Sequence, residues 1–320
     1  MGYCKSGITD LSRKKHKLIS DILGRSYRVN EECLFRCPKC KHYKNKLSVN
    51  YDKNVFKCWV CDYSGKDILS LVRKYGSYNQ KSEWLELSGK VDLNEFDNLF
   101  EEVEEVDVQQ RLDLPKEFRT LTSRNPSLAA SPALNYLKKR GYTREDVLHW
   151  KVGYCLEGEY ANRIIIPSFD EEGYVNYFIA RSFTEDWYRY KNPPASRDIV
   201  FNELYIDWTD DIILTEGIFD AMKAGNAIPL LGSTLNERSK LFQKIVAHDS
   251  TIFIALDSDA EKKSLRLIKN LLQYDIRVRK VDISPFSDVA EMTKEEFQQR
   301  KEKASFVEEG DYLLYHALSL

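Results

Sequence analysis

Two short apolar segments of this sequence end in carboxylates. The first is Asp211-Ile-Ile-Leu-Thr-Glu216-Gly217, and the second is Thr251-Ile-Phe-Ile-Ala-Leu-Asp257-Ser-Asp259. Their β-branched residues favour buried strands that stop where the acids begin. In an open parallel sheet the strand ends form the ligand crevice, so Glu216, Asp257 and Asp259 should converge there. Because such acids repel one another and offer hard oxygen ligands, they predict a magnesium site.

Solvated surface acids are the alternative interpretation, since a lone Asp-x-Asp pair is weak evidence. The position of the pair after a fully apolar strand, together with a second strand that ends in Glu-Gly, favours function. Gly217 allows a sharp turn and leaves space beside the carboxylate of Glu216. Asp257 and Asp259 can reach one cation from a single loop.

Four of the seven cysteines form two C-x2-C pairs, Cys37-Pro-Lys-Cys40 and Cys58-Trp-Val-Cys61, with 17 residues between the pairs. In a chain that shows no secretion signal, such spacing indicates zinc rather than disulfides. Two pairs complete the tetrahedral Cys4 shell of a structural zinc ion, which folds a small domain and leaves no open catalytic position. Cys33 is a candidate substitute ligand, although an ordinary free thiol is the simpler interpretation.

The N-terminal part of the chain is basic. Residues 1–90 hold 19 Lys and Arg against 9 Asp and Glu, a charge of +10, whereas the remainder holds 29 against 41. Lysines and aromatic residues alternate between the cysteine pairs, as in surfaces that follow phosphates and stack on unpaired bases. A merely solvated surface is the alternative for the lysines, and a small core is the alternative for Phe56 and Trp59. The pattern predicts contact with a polyanion.

The composition describes a globular chain. Its 320 residues are 42% hydrophobic and include 19 Tyr and 15 Phe, enough for two domains and a sizeable core. No segment approaches the ~20 apolar residues of a membrane span, and the N-terminus lacks an apolar signal core. We therefore expect a cytoplasmic protein.

Periodicity predicts the elements that position these residues. A helix is expected over 10–23, and strands are expected over 47–51 and 54–57 around the cysteines. A hairpin is expected from Arg163 to Arg181. Beyond it, strands near 212–215, 228–231, 252–256 and 276–282 alternate with helices near 218–224, 236–247 and 260–273. This βαβ rhythm predicts a parallel sheet.

The acids resemble a known family. Glu216-Gly217-x-x-Asp220 and Asp257-x-Asp259 look like the first two motifs of the TOPRIM fold, which primases, topoisomerases and some nucleases share. Leu231-Gly232-Ser-Thr resembles the Leu-Gly-Thr step of primases. With a zinc ribbon upstream, the order of motifs resembles DnaG-type DNA primases, and most closely the stand-alone primases of T4-type bacteriophages.

Further segments resemble the RNA-polymerase domain of these primases. Arg163 matches its opening basic strand, Arg181 matches the end of its second strand, and Arg189-Tyr190-x-Asn192 matches a Lys-Tyr-x-Asn segment. The resemblance implies that these residues bind nucleotide or template. An arginine replaces the family's lysine at 189, which keeps the positive charge but changes its geometry.

The third acidic motif departs from the family pattern. It reads Asp288-Val-Ala-Glu291 instead of Asp-x-Asp or Asp-x-x-Asp. The resemblance implies that Asp288 joins Glu216, Asp257 and Asp259 as a catalytic Mg2+ (or Mn2+) ligand, while Glu291 carries over less directly. Glu216 is also a candidate acceptor of the hydroxyl proton. The Cys4 zinc set differs from the histidine-containing set of most DnaG primases and agrees with the T4-type enzymes.

The expected fold is α/β, with a small zinc-ribbon domain before an RNA-polymerase domain that contains a Rossmann-like TOPRIM sheet. The predicted divisions are a zinc- and DNA-binding domain (1–90), an acidic linker (91–113) and an RNA-polymerase domain (114–320). The last divides into a basic subdomain (114–209), TOPRIM (210–290) and a helical end (291–320).

The resemblance implies a DNA-dependent RNA polymerase that joins ribonucleoside triphosphates into short primers on single-stranded DNA. A TOPRIM nuclease or topoisomerase, and a non-catalytic zinc adaptor of replication, are the alternatives. The sequence has no G-x-x-x-x-G-K-[ST] segment, which argues against a fused helicase. The resemblance then implies that a replicative helicase is a separate partner.

Overall fold

The computed structural model of the chain describes residues 10–88, 110–232 and 235–307. Its contacts cluster into two compact units, one holding the chain up to Asp107 and the other holding most of the rest. Over the described ranges, no helix has both the length and the apolar character needed to cross a membrane. The acidic segment predicted as a linker lies mainly outside the described residues, as do Ser233 and Thr234.

Within residues 10–88, the first unit is an antiparallel sheet with three helices. Its five strands are ordered as in the chain, because each follows its neighbour through a short turn. The strands are β1 Tyr27–Val29, β2 Glu32–Arg36, β3 Asn45–Asn50, β4 Val55–Cys58 and β5 Ser64–Gly65; the helices are α1 Asp10–Leu23, α2 Ile68–Tyr75 and α3 Tyr78–Ser88.

Apolar residues of all three helices and of the sheet share one core in this unit, including Ile19, Phe35, Leu47 and Trp84. The Asp67 side chain caps α2 by accepting a hydrogen bond from Leu69 N at 2.9 Å. A cap of this kind satisfies a backbone donor that the first turn leaves unpaired.

The second unit contains an antiparallel sheet in the order β6-β7-β8-β9. Its longest pair, β8 and β9, forms the hairpin predicted from Arg163 to Arg181. The elements are β6 Arg119–Thr120, α4 Ser131–Lys139, α5 Arg144–His149, β7 Gly153–Cys155, β8 Arg163–Phe169 and β9 Val175–Ser182.

The second sheet of this unit is fully parallel, in the order β11-β10-β12-β13, which confirms the predicted Rossmann-like sheet. The elements are β10 Ile212–Thr215, α6 Ile218–Ala224, β11 Ala227–Pro229, α7 Lys240–His248, β12 Ile252–Ala255, α8 Glu261–Gln273, β13 Val278–Lys280 and α9 Lys294–Lys303. Thr215 pairs with Ala255, so the carboxyl ends of β10 and β12 lie side by side.

Candidate functional site

The predicted acids converge at the carboxyl ends of β10 and β12. One carboxylate oxygen from each of Glu216, Asp257 and Asp259 lies within 4.8 Å of the other two. Glu216 follows β10 directly, while Asp257 and Asp259 lie in the loop between β12 and α8. Three carboxylate oxygens at this separation suit the ligand set of a divalent cation.

The surroundings of Asp257 raise the pKa of its carboxyl group. Burial raises its pKa to about 7, and repulsion from Asp220, Glu216 and Asp288 adds to the shift. Its Oδ1 is buried and has no hydrogen-bond partner among the described residues. A buried carboxylate oxygen without a donor is costly unless a proton or a cation meets it. The site therefore fits a cation on its own geometry.

Lys263 supplies a positive charge that the sequence motifs do not predict. It lies one turn into α8, and its Nζ is 2.6 Å from Glu216 Oε1. The two side chains are one-third and one-quarter exposed. Because hydrogen bonds between charged groups are strong, this pair competes with any cation for the same carboxylate.

Asp288 and Glu291 lie outside the group of three. Asp288 caps the short 3-10 helix Val289–Glu291, where its Oδ1 accepts a hydrogen bond from Glu291 N at 3.0 Å. Glu291 Oε2 accepts from Ser287 N at 2.9 Å. Asp288 nevertheless contributes to the raised pKa of Asp257, so it acts on the cluster through its charge.

Asp220 connects the first and third acidic segments. Its carboxylate accepts hydrogen bonds from Gly217 N at 3.1 Å and from Ala290 N at 2.9 Å. The side chain is buried, which raises its pKa to about 6. The motif position therefore has a structural role here: it fixes the turn that presents Glu216.

The four cysteines of the two C-x2-C pairs form the second cluster. Cys37 follows β2 and Cys58 ends β4, so both knuckles lie at the same end of the sheet. The Sγ–Sγ distances are 3.8 Å for Cys37–Cys61 and 3.8 Å for Cys40–Cys58. Sulfurs about 2.3 Å from a tetrahedral zinc are about 3.8 Å apart. The cluster fits one zinc ion, and Cys33 lies outside it as a buried thiol.

The basic and aromatic residues in the segment between the two C-x2-C pairs differ in how far they are buried. Phe56 and Trp59 are 3% and 9% exposed, which confirms the interpretation that they form a small core. Lys46 is buried too. Tyr43 is 64% exposed, with the Lys44 ammonium 5.6 Å from its ring centre. The face available to a polyanion is therefore smaller than the composition suggested.

Arg163 is not available as an exposed phosphate contact. It is 5% exposed, and its Nη2 lies 2.5 Å from Asp186 Oδ2. Its Nη1 donates to the carbonyl oxygen of Tyr188 at 2.8 Å. The guanidinium therefore holds the loop that follows β9, because all these partners belong to that loop.

Arg181 and Tyr190 pair across that loop. They form an antiparallel bridge, and the Arg181 guanidinium lies 4.7 Å from the Tyr190 ring centre. Asn192 Oδ1 accepts a hydrogen bond from Ala180 N at 3.2 Å and so fixes the returning segment to β9. Arg189 is exposed. Of the predicted arginines, Arg181 and Arg189 present charge while Arg163 organises backbone.

A search with models of known protein families finds none that matches this chain. Among curated proteins, it is 23% identical over 335 aligned residues to a DNA primase of Thermotoga maritima, with 86% of this chain and 55% of that protein covered. A DNA primase of Clostridium acetobutylicum is 22% identical, with 84% of this chain and 53% of the relative covered. The chain is a homologue of DnaG-type DNA primases.

The chain spans about half the length of these curated primases. It is also 35% identical over 159 residues to the uncharacterized protein MG010 of Mycoplasma genitalium, with 45% of this chain and 69% of that protein covered.

Two solved primase structures are similar to this chain. The Aquifex aeolicus primase (zinc-binding and RNA polymerase domains) matches with a TM-score of 0.49 and 21% identity, over 94% of this chain and 87% of that one. A DnaG primase catalytic domain bound to single-stranded DNA has a TM-score of 0.48 and 16% identity, over 59% and 75%. Both TM-scores are below 0.5, and the homology to DNA primases is carried by the sequence matches.

Proposed function

We propose that this chain is a DNA primase, which joins ribonucleoside triphosphates into short RNA primers on a single-stranded DNA template. The observation that carries the proposal is the convergence of Glu216, Asp257 and Asp259 at adjacent parallel strand ends, in a homologue of DNA primases. Clustered carboxylates of this kind suit phosphoryl transfer, which depends mainly on positioning and charge neutralisation.

Glu216, Asp257 and Asp259 would hold magnesium, with Asp288 and Glu291 as outer acids. A bound divalent cation would supply charge neutralisation at the phosphates and make the attacking hydroxyl more acidic. The chain itself orients the acids. Asp220 fixes the turn that presents Glu216. A hydrogen bond of 3.0 Å from Ser258 N to the carbonyl oxygen of Ser287 joins the loop of Asp257 and Asp259 to the loop before Asp288.

The proposed template and nucleotide contacts are Arg181, Arg189 and Tyr190. Guanidinium groups pair with phosphate oxygens and stack on rings, so an arginine beside a tyrosine can hold both parts of a nucleotide. Asn192 and the buried Arg163 would position these residues, since Asn192 accepts a hydrogen bond from Ala180 N and Arg163 donates one to the carbonyl oxygen of Tyr188. The zinc unit would add further template contacts through its basic surface. A separate replicative helicase remains a prediction from the family resemblance.

The test is primer synthesis on single-stranded DNA with four ribonucleotides and magnesium. We expect RNA products of discrete length from the unchanged chain, and loss of at least about 100-fold in rate for Glu216→Gln and for Asp257→Asn, which remove charge without removing volume. Glu302→Gln is the matched control, because it changes an exposed acid on α9.

Two outcomes would contradict the proposal. Cutting of the DNA strand without RNA product would assign the acids to a nuclease. Full replication activity of Glu216→Gln and Asp257→Asn in cells would assign the chain to a non-catalytic adaptor role. Circular dichroism of each variant separates loss of chemistry from loss of folding.

A further inference from the structure

The loop between β9 and Tyr190 exposes two large aromatic side chains. Trp187 is 91% exposed and Tyr188 is 71% exposed. Tryptophan is the side chain with the largest apolar surface, and such an exposed pair commonly marks a place where a partner binds. Neither residue belongs to the proposed catalytic group.

Hydrogen bonds fix the backbone of this loop. The buried Arg163 guanidinium binds the carbonyl oxygen of Tyr188 and the carboxylate of Asp186. The other oxygen of Asp186 accepts from Tyr188 N at 3.1 Å, and Ser182 N donates to the carbonyl oxygen of Arg189 at 2.9 Å. With its backbone tied on both sides of Trp187, the loop presents the two rings at little further entropic cost.

A row of alternating arginines and rings leads from this loop toward the acids. Arg181 lies over the Tyr190 ring and donates from Nε to Tyr136 Oη at 3.0 Å. Arg140 lies 5.3 Å from the Tyr136 ring centre and 4.9 Å from that of Phe219. Phe219 is three residues after Glu216 in the chain. The row therefore runs from Tyr190, at the end of this loop, to Phe219 on α6, the helix that follows Glu216.

We propose that Trp187 and Tyr188 stack on unpaired bases of a single-stranded nucleic acid whose phosphates follow the adjacent arginines. The two rings offer a π-face for a base, and the exposed Arg189 that follows Tyr188 in the chain offers positive charge for its phosphate. Arg181, which lies against Tyr190 at the end of the same loop, adds a second positive charge. Single strands require this combination of rings and positive charge. The same charges disfavour a basic partner. This inference deepens the proposed function and rests on it for the identity of the strand as template.

The test is fluorescence-anisotropy binding of a labelled single-stranded oligonucleotide to the full chain, without nucleotides. We expect Trp187→Ala to weaken binding about tenfold, from the 1–3 kcal/mol that one base–ring stack contributes. Trp187→Phe should keep most of the affinity because it keeps a ring. Leu128→Ala is the control, since Leu128 is an apolar side chain of the same unit that is 93% exposed.

An abasic strand separates stacking from a structural effect. With no bases to stack on, Trp187→Ala and the unchanged chain should bind it equally. Arg189→Ala should instead lower the salt dependence of binding by about 0.7 in log–log slope for one lost phosphate contact, while Trp187→Ala leaves that slope unchanged. Equal weakening by Trp187→Ala on both strands would mean a structural effect, and no weakening on the normal strand would mean that Trp187 does not contact the strand; either result overturns the proposal.

The binding test is independent of the proposed chemistry. It measures affinity for the oligonucleotide in the absence of nucleotides, so its result does not depend on primer synthesis. If the chain makes no RNA but Trp187→Ala weakens binding only to strands with bases, primase activity fails while the stacking surface stands. If the chain makes RNA but Trp187→Ala leaves binding unchanged, the stacking surface is refuted while primase activity stands.

Discussion

Replacing Lys263 with methionine should tighten metal binding at the acid cluster. Lys263 Nζ lies 2.6 Å from Glu216 Oε1, so the ammonium already neutralises one of the three carboxylates. A cation that binds Glu216 must displace this ammonium or share the oxygen with it. Methionine keeps the apolar length of the side chain and removes the competing charge.

The size of the effect follows from the exposure of the pair. Lys263 and Glu216 are 34% and 25% exposed, so the pair is stronger than a surface ion pair at 0.2–1 kcal/mol and is still screened by water. A hydrogen bond between charged groups contributes about 1.5–3 kcal/mol. We expect a gain of about 1–2 kcal/mol in metal binding, which is about 5- to 30-fold in the dissociation constant.

The assay is titration of the chain with Mn2+, in which the electron paramagnetic resonance signal reports the free ion. Lys262→Met is the matched control, because it removes the same charge from an exposed neighbour on α8. Unchanged affinity in Lys263→Met would refute competition at Glu216. Weaker affinity would mean that Lys263 orients Glu216 for the metal.

Two further predictions concern the zinc cluster and Asp257. Removal of zinc by a chelator should release one equivalent of zinc, measured by metal analysis, and should unfold residues 10–88. Hydrogen exchange should then show that the backbone amides of the parallel sheet stay protected. Retained amide protection in β2 to β4 would contradict a structural zinc. The pKa of Asp257 is raised from 3.8 to about 7 in the folded chain, so the folded chain holds this proton more tightly than the unfolded chain does. As the pH rises from about 4 to above 7, ionisation of Asp257 therefore destabilises the metal-free chain. Asp257→Asn should therefore raise the melting temperature at pH 8 and leave it nearly unchanged at pH 3.5, and an equal shift at both pH values would refute this cause.

Periodicity was sufficient for most elements. The predicted helix 10–23 agrees with α1, and the predicted strands 212–215 and 252–256 agree closely with β10 and β12. Such segments are short, apolar and bounded by turn residues, so local sequence decides them. Helix α3 and strands β1 and β2 were not predicted, because a weakly amphipathic helix and strands of three to five residues carry little periodic signal.

Side-chain roles were less predictable than elements. Arg163 and Arg181 have the same chemistry in the sequence, yet one is buried against Asp186 and the other lies against Tyr190. Lys263 is one of three consecutive charged residues at the start of α8, and only the turn of that helix directs it at Glu216. These differences depend on long-range packing, which no local pattern encodes.

The sequence by itself determined the ligand chemistry of this protein: two C-x2-C pairs for zinc and acids at the ends of apolar strands for a divalent cation. It did so because ligand type and spacing along the chain are local properties. Tertiary structure alone decided which charges meet. The strand order β10-β12 brings Glu216 beside Asp257 and Asp259, while Asp288 stays outside this group. In the antiparallel sheet, the buried Arg163 binds Asp186 and Tyr188 and so fixes the loop of Trp187. Such distances are set by how elements pack, and they determine the pKa of Asp257 and the availability of each arginine.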